Sequence, residues 1–302
     1  MPGVRAAPPG HHEGMDPPRA PLFGLFPSPE ADDHAATVRL VTLADELGLD
    51  LVGIQDHPYQ RRFLDTFVLM ADLLARTERI RVFPDVANLP LRGAAMIAKA
   101  AASMDVMSGG RFELGLGAGG FWDAIAAMGG PRREPGEAVD ALVEAITVIR
   151  RLWSGDRGLR VDGRHYRLAG VHSGPTPAHD VGIWLGATGP RMLAVTGRLA
   201  DGWIPSSPYV PPDELLDRHR ILDEAAHDAG REPSDILRLY NINGRITDGP
   251  TEKWLVGNKD HWVEQLRELH DDHRIDAFIF WPEGDDHEAQ LRAYAEIAAE
   301  LR

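Results

Sequence analysis

The chain has 302 residues, of which 43% are hydrophobic and 26% are charged, and this size and composition fit one globular domain with a large buried core. Its net charge of -14 opposes general binding to nucleic acid or to anionic membranes, because the field of the protein repels phosphate groups. The chain has no cysteine. This excludes disulfides, thiolate metal sites and thiol catalysis, and it fits a cytoplasmic protein.

The N-terminal segment differs in composition from the rest of the chain. Residues 1–20 are rich in proline and glycine and lack an apolar run, so we expect a disordered leader there and a single domain over 21–302. No stretch approaches the roughly 18 to 20 consecutive apolar residues of a membrane span. We therefore expect a soluble protein with no membrane partner.

Short apolar runs alternate with longer helical segments from Leu22 onward, which is typical of βαβ units in a parallel sheet. The predicted strands are 22–26, 50–55, 80–86, 111–116, 181–186, 202–206, 236–242 and 276–281. The predicted helices are about 31–48, 65–77, 93–107, 135–153, 190–200, 212–229, 259–273 and 286–301. Gly48 and Gly230 are placed as helix stops.

Eight strand–helix pairs in about 280 residues favour an α/β fold of the (β/α)8 type, a TIM barrel, over an open doubly wound sheet. Residues 154–180 are rich in Gly, Pro and His and form an insertion between helix 4 and strand 5. We expect a hairpin at 161–168 within this insertion. We also expect the insertion to lie near the mouth of the active site.

In such a barrel the loops that follow the strands build the active site. Asp56 and His57 come directly after strand 2, where an imidazole can move protons near neutral pH and an adjacent acid can fix a polar ligand group. An ordinary loop pair is the alternative. After strand 3 come small and polar residues that suit close approach of a flat ring, namely Asp85, Val86, Ala87 and Asn88.

Two further strand ends carry glycines. Gly115, Gly117 and Gly120 match G-x-G-x-x-G, but a dinucleotide-binding unit places this turn after its first strand, so we reject the Rossmann interpretation. The residues Gly117, Ala118 and Gly119 can still present backbone N–H groups to a cofactor. After strand 5, a phosphate site and a plain strand-to-helix turn are equally good interpretations of Thr188, Gly189, Pro190 and Arg191.

Other motifs are weak or absent. His270 and His273 lie one helical turn apart, but their position near a helix end favours a solvated face over a metal site. The chain has no Gly-x-Ser-x-Gly elbow, Walker loop or His-Glu-x-x-His motif, which argues against hydrolase, NTPase and zinc-protease functions. We expect no metal.

Together these segments resemble the bacterial luciferase-like family of flavin- and F420-dependent oxidoreductases over most of residues 22–282. The phrases that carry the resemblance are LADELGLDLVGIQDH (43–57), ARTERIRV (75–82), NLPLRGAAMIAKAAASMDVMSGGRFELGLGAG (88–119), GATGPRMLAVTGRLADGW (186–203) and VGNKDHWVEQLRELHDDHRIDAFIF (256–280). The resemblance implies a (β/α)8 barrel, a homodimer, and a flavin or deazaflavin ring at the barrel mouth.

The resemblance also implies roles for the strand-end residues. Asp56 and His57 resemble the family's pair beside the reactive ring, and His57 would hydrogen-bond the substrate or move a proton. The Asp85–Asn88 segment resembles the strand-3 bulge, which often contains a non-proline cis peptide. The loop Gly117–Gly119 resembles the family's contact loop, and Thr188–Arg191 resembles its phosphate-binding turn.

The Asp-His pair resembles the F420-using branch more than the luciferase branch. Our first hypothesis is therefore hydride transfer between F420 and a small organic substrate. The alternative is an FMN-dependent monooxygenase supplied by a reductase, and a non-catalytic flavin-binding protein is a third hypothesis. F420-dependent glucose-6-phosphate dehydrogenases carry a glutamate where this chain has Gly120, which argues against sugar-phosphate oxidation.

Overall fold

The computed structural model describes residues 20–251 and 253–302, so the predicted leader lies, except for Ala20, outside the described residues. In this part of the chain the strands are β1 (Leu22–Leu25), β2 (Leu51–Ile54), β3 (Arg81–Pro84), β4 (Ala87–Asn88), β5 (Leu114–Gly117), β6 (Leu159–Asp162), β7 (Arg167–Val171), β8 (Ile183–Leu185), β9 (Gly202–Trp203), β10 (Leu237–Ile246), β11 (Val256–Gly257) and β12 (Ala277–Pro282).

The described helices are α1 (His34–Glu46), α2 (Thr66–Arg76), α3 (Leu89–Arg92), α4 (Ala94–Ser108), α5 (Trp122–Ala127), α6 (Pro135–Trp153), α7 (Pro190–Leu199), α8 (Leu215–Asp228), α9 (Lys259–Asp271) and α10 (His287–Leu301). Short 3-10 turns at Ala31–Asp33 and Pro212–Glu214 precede α1 and α8, and a third lies at Pro233–Asp235. The eight predicted helices are present with shifts of a few residues at their ends. The short helices α3 and α5 were not predicted.

A parallel barrel forms the centre of the molecule. Its strands follow the order β3-β2-β1-β12-β10-β9-β8-β5-β4. The barrel closes where Val82 in β3 donates its N–H to the carbonyl of Arg111 at 2.9 Å and accepts from the N–H of Glu113 at 3.1 Å. Since β4 continues β3, the wall has the eight predicted strand positions, and the (β/α)8 prediction is confirmed.

The burial pattern explains why these segments form a barrel with an outer layer of helices. Strands such as β2 and β5 are buried at every position, as expected when one face packs in the barrel and the other packs under helices. Helix α6 begins at Pro135 and buries Val139, Leu142, Ile146 and Ile149, which recur at helical spacing on its inner face.

The insertion packs against the outside of the barrel. β6 and β7 form the predicted hairpin as an antiparallel pair. The side chain of Glu144 in α6 accepts backbone N–H groups of Arg164, His165 and Tyr166 at 3.0, 2.7 and 3.1 Å. The hairpin runs back along α6, because His165 lies 4.0 Å from Glu137 in the first turn of that helix. The insertion does not line the cavity described below, and its position near the mouth stays a prediction.

Helices α1 and α8 each end shortly before a glycine. Gly48 and Gly230 have φ of 79° and 71°, the left-handed conformation that ends a helix without a Cβ clash, which confirms both stops. Within the described residues, no helix has both the length and the apolar character needed to cross a bilayer.

Candidate active site

A cavity of about 240 Å³ lies at the carboxyl ends of the barrel strands, and we call it the strand-end cavity. Its polar wall consists of Gln55, His57, Asp85, Ser206, Asn241 and Asn243. Its other walls consist of Phe26, Pro208, Tyr209, Ile242 and Trp281. No lysine or arginine is among these described lining residues. The cavity is therefore partly apolar, with convergent polar groups and no cation, as in many small-molecule sites.

Asp56 holds two strand ends together. Its side chain is buried, and both of its carboxylate oxygens accept from Arg92, at 2.6 Å from Nε and 2.7 Å from Nη2. The N–H of Asn88 donates to the same carboxylate at 2.8 Å. Charge-assisted bidentate bonds of this kind fix geometry tightly. Asp56 therefore ties the segment after β3 to the end of β2 and does not line the cavity.

His57 follows Asp56 and lines the cavity. Its Nδ1 shares a hydrogen bond of 2.6 Å with the hydroxyl of Tyr59, and its ring meets the ring of Phe121 edge-on at 5.5 Å. Burial lowers the pKa of His57, and the charge of Asp56 offsets part of this shift. The imidazole is therefore neutral at pH 7, oriented through Nδ1, and presents Nε2 to a ligand.

The side chains of Asp85 and Val86, which follow β3, point in different directions. The peptide bond between these two residues is cis. A Cβ placed on Gly53 in β2 would lie 2.9 Å from Oδ2 of Asp85. A Cβ placed on Gly117 in β5 would lie 2.7 Å from Cγ2 of Val86, and one on Gly115 would lie 3.2 Å from Cγ1. Asp85 thus faces β2 and the strand-end cavity, whereas Val86 faces the glycine-rich end of β5.

The glycine loop and the helix turn lie beyond Val86. Gly119 has φ of 103°, and the neighbouring strand ends of β5 and β8 are paired in register. Gly189 caps α7 without a side-chain hydrogen bond, and a Cβ there would meet no atom within 4 Å. The start of α7 therefore has no side-chain cap, so its first N–H groups are available to an anion at the helix N-terminus. Pro190 begins this helix as predicted.

Two arginines lie beside this turn. Arg191 is paired with Asp140 in α6 at 2.6 Å and donates to the carbonyl of Gly136 at 3.3 Å. Arg218 in α8 donates to the carbonyl of Thr188 at 2.9 Å. A ligand phosphate at the turn would therefore compete with Asp140 for Arg191, while Arg218 positions the turn.

The structure thus arranges the predicted site residues in two groups. His57 and Asp85 line the strand-end cavity; Asp56, Ala87 and Asn88 form the buried wall behind it. Val86, the Gly117–Gly119 loop and the Thr188–Arg191 turn lie on the other side of the β3 bulge. Sequence reasoning missed Asn241, Asn243 and Trp281 in the cavity, and also Arg218. The alternation of Asn241 and Asn243 near the end of a buried strand was a usable signal, because alternate residues share one face of a strand.

Comparisons with known proteins identify the family of this chain. A family model of luciferase-like monooxygenases matches residues 15–300. The protein of Nocardia farcinica named F420-dependent glucose-6-phosphate dehydrogenase is 34% identical over 230 residues, which cover 73% of this chain and 67% of that protein. A protein of the same name from Gordonia bronchialis is 32% identical over 250 residues, covering 80% and 72%.

Solved structures show the same fold. A structure described as an F420-dependent secondary alcohol dehydrogenase in complex with an F420–acetone adduct has a TM-score of 0.84 at 18% identity, covering 93% of this chain and 99% of that chain. A monooxygenase from Streptomyces bottropensis has a TM-score of 0.80 at 20% identity, covering 92% and 99%. At these identities the likeness concerns the fold.

Proposed function

Because the chain belongs to the luciferase-like monooxygenase family, we propose that it is an F420-dependent oxidoreductase that transfers a hydride between the deazaflavin and a small organic substrate. The observation that carries the proposal is the neutral, oriented imidazole of His57 at a cavity on the strand ends. Relatives more than 30% identical are named F420-dependent dehydrogenases, which favours F420 over FMN for this chain.

The residues on the far side of Val86 fit a phosphate-bearing cofactor. The uncapped start of α7 offers N–H donors and a positive helix end. Gly117 has no side chain and lies against Val86, which forms an apolar surface there, whereas Gly119 lies against Pro90 and Trp122. Thr188, Gly189 and Arg191 would hold the phosphate, while Gly117, Ala118 and Val86 would contact the ring system.

The chain's own groups position the substrate and move its proton. When bound, the deazaflavin supplies the group that accepts or donates the hydride. His57 takes or returns the proton of the reacting substrate group at Nε2, because Nδ1 is engaged by Tyr59. Asp56 fixes the strand ends on which His57 and Asn88 stand. The aromatic rings of Phe26, Tyr209 and Trp281 line the cavity.

Glucose 6-phosphate is not the substrate that this cavity fits. A sugar phosphate needs cations or many N–H donors around its dianion, and no lysine or arginine is among the described residues that line the strand-end cavity. Those dehydrogenases carry a glutamate at the position of Gly120, and this difference also argues against a sugar-phosphate substrate. The relatives' cofactor is therefore carried over to this chain, but their substrate is not.

The chain is proposed to act in the cytoplasm as a homodimer. Large apolar side chains are exposed on the adjacent helices α2 and α4, with 71% of Val68, 66% of Met96 and 76% of Met107 accessible. Met96 and Met107 are three helical turns apart and so share one face of α4. Apolar surface of this kind on neighbouring elements is typical of an interface. A reductase that recycles the cofactor is a further proposed partner.

Titration of the full chain with F420 and with FMN, followed by cofactor absorbance and fluorescence, tests the proposal. We expect F420 to bind at least about tenfold more tightly than FMN. Tight binding of FMN alone would contradict F420 dependence and favour the monooxygenase. Binding of F420 without hydride transfer to any of a panel of alcohols, aldehydes and amines would favour a non-catalytic protein.

A further inference from the structure

The carboxyl group of Asp85 is an acid on the wall of the strand-end cavity for which the proposed mechanism has no use. Its Oδ2 atom is buried and has no hydrogen-bond partner among the described residues. The carboxyl group interacts with the side-chain amide of Asn241, whose Nδ2 already donates to Ser206 at 3.1 Å. A buried acceptor without a donor is costly, so this group is suited to a ligand that brings a donor.

The direction of the side chain separates Asp85 from the cofactor-holding residues. Asp85 lies against Gly53 of β2, whereas Val86 lies against Gly117 of β5. The glycine loop and the start of α7 lie on the Val86 side. The carboxyl group therefore faces the part of the strand ends that is left for the substrate.

A cleft beside the strand-end cavity is also acidic and aromatic. A neighbouring cleft of about 350 Å³ shares Phe26 and Trp281 with it, and these two rings stack at 5.2 Å. The acidic residues that line this cleft are Glu30, Asp33, Asp285, Asp286 and Glu288. Its arginine, Arg39, lies 3.8 Å from Glu288. Ring faces and carboxylates both attract cations.

We propose that Asp85 makes the strand-end cavity selective for substrates that carry an ammonium group, with Phe26 and Trp281 covering the attached hydrocarbon. This inference rests on the proposed function, since it names the substrate class of the same site. An ammonium group brings several N–H donors to Oδ2 of Asp85 and neutralises a carboxylate that no side chain in the cavity neutralises. An anionic substrate meets a repelling charge at the same place.

The proposed selectivity depends on pH, because Asp85 must be ionised to bind an ammonium group. Burial raises the pKa of Asp85 to about 7, and the Asn241 amide offsets a smaller part. The other titratable groups on the cavity wall are His57, on the loop after β2, and Tyr209, after β9; β10, β1 and β12 contribute amides and neutral rings. Burial lowers the pKa of His57, so its imidazole loses its proton at a lower pH than a free imidazole does. Affinity for a cation should therefore rise from about pH 6 to about pH 8.

Calorimetric titration of the full chain with three probes of matched shape tests this inference. The probes are cyclohexylammonium, cyclohexanol and cyclohexanecarboxylate, each measured without and with saturating F420. At about pH 8 we expect the ammonium probe to bind about tenfold more tightly than the alcohol, and the carboxylate to bind weakest. Near pH 6 this preference should shrink severalfold. Asp85→Asn should remove both the preference and its pH dependence.

Asp32→Asn is the matched control, because Asp32 is exposed in the turn before α1 and its loss changes the net charge equally. The inference is overturned if Asp85→Asn, shown by thermal melting to be folded, keeps the ammonium preference, if Asp32→Asn loses it, if the carboxylate binds best, or if no probe binds. The measurements without F420 do not depend on redox activity. Loss of F420 binding with the ammonium preference intact would therefore contradict the proposed function but not the selectivity.

Discussion

The guanidinium of Arg92 binds both carboxylate oxygens of Asp56, at 2.6 and 2.7 Å, and also reaches Asp65 at 2.8 Å. Only 1% of the Asp56 side chain and 17% of the Arg92 side chain are exposed. The pair therefore joins the ends of β2 and β3 from within the protein. The site residues next to the pair are held by these two strand ends. The pair therefore links the stability of the fold to the geometry of the site.

Asp56→Asn should lower the free energy of unfolding by about 3 kcal/mol, because removing one partner leaves a largely buried guanidinium without its bidentate acceptor. Urea denaturation measures this change. Asp123→Asn is the control, since Asp123 is paired with Arg132 but is 96% exposed, and its loss should leave stability close to that of the wild type. Equal effects of the two substitutions would contradict a structural role for the Asp56–Arg92 pair.

His57→Ala should lower kcat by about 100-fold or more, the range expected for loss of a general acid or base, while the Kd for F420 stays within about threefold of the wild-type value. Tyr59→Phe should cause a smaller loss, because it removes only the hydroxyl that orients Nδ1. Stopped-flow measurement of hydride transfer separates the two effects. Turnover that is unchanged in His57→Ala would remove this residue from the mechanism.

Arg191→Ala and Arg218→Ala should each weaken cofactor binding by about tenfold, the cost of roughly one charge-assisted hydrogen bond. Arg191 stands in the first turn of α7, and Arg218 fixes the carbonyl of Thr188 in the preceding turn. Arg198→Ala, in the last turn of the same helix, is the control. If all three variants bind F420 equally well, the phosphate is bound elsewhere.

Acid should destabilise the protein through His219. Burial, with the charge of Arg238, lowers the pKa of His219 to about 2, below the unfolded value of about 6.5. The unfolded state therefore binds more protons between these pKa values, so the stability is complete above about pH 6.5 and falls as the pH falls. The loss at pH 5 should be about 2 kcal/mol.

His219→Leu should flatten this acid limb, measured by urea denaturation as a function of pH. Neither ring nitrogen of His219 has a partner among the described residues, so the substitution removes no hydrogen bond. His227→Gln, on the exposed side of α8, should leave the acid limb unchanged. An acid limb that persists in His219→Leu would assign the destabilisation to other groups.

Light scattering coupled to size exclusion tests the proposed dimer. The substitutions Met96→Glu and Met107→Glu place charges on the exposed apolar face of α4 and should shift the protein to a monomer, because charge is depleted at the core of an interface. Tyr209→Glu is the control at another exposed position. A wild-type monomer at micromolar concentration would contradict the proposal.

The sequence predicted the barrel because its strands are buried on both faces and leave apolar runs between amphipathic helices. Helix α6 occupies the predicted residues 135–153, since Pro135 marks its start and its apolar positions recur regularly. The short helices α3 and α5 were missed, because four and six residues give too little periodicity to detect.

The sequence predicted site residues whose reactive side chains come directly after a strand, as His57 does. Long-range pairings left no sequence signal: Arg191 meets Asp140 and Arg92 meets Asp56 across 51 and 36 residues. The position of the insertion relative to the barrel mouth stays a prediction, because composition does not report which end of a barrel a loop lies on. Contacts of this kind depend on the packing of whole elements rather than on local pattern.

The opposite directions of Asp85 and Val86 have a consequence for how such an enzyme can diversify. One residue faces the cavity and its neighbour faces the glycines of β5, so a single codon change at position 85 can alter which molecules enter while the surface at position 86 stays intact. Substitutions at position 85 can then change the substrate range while every variant along the way still binds its coenzyme. The same separation offers protein engineers a site for saturation mutagenesis that spares the rest of the barrel.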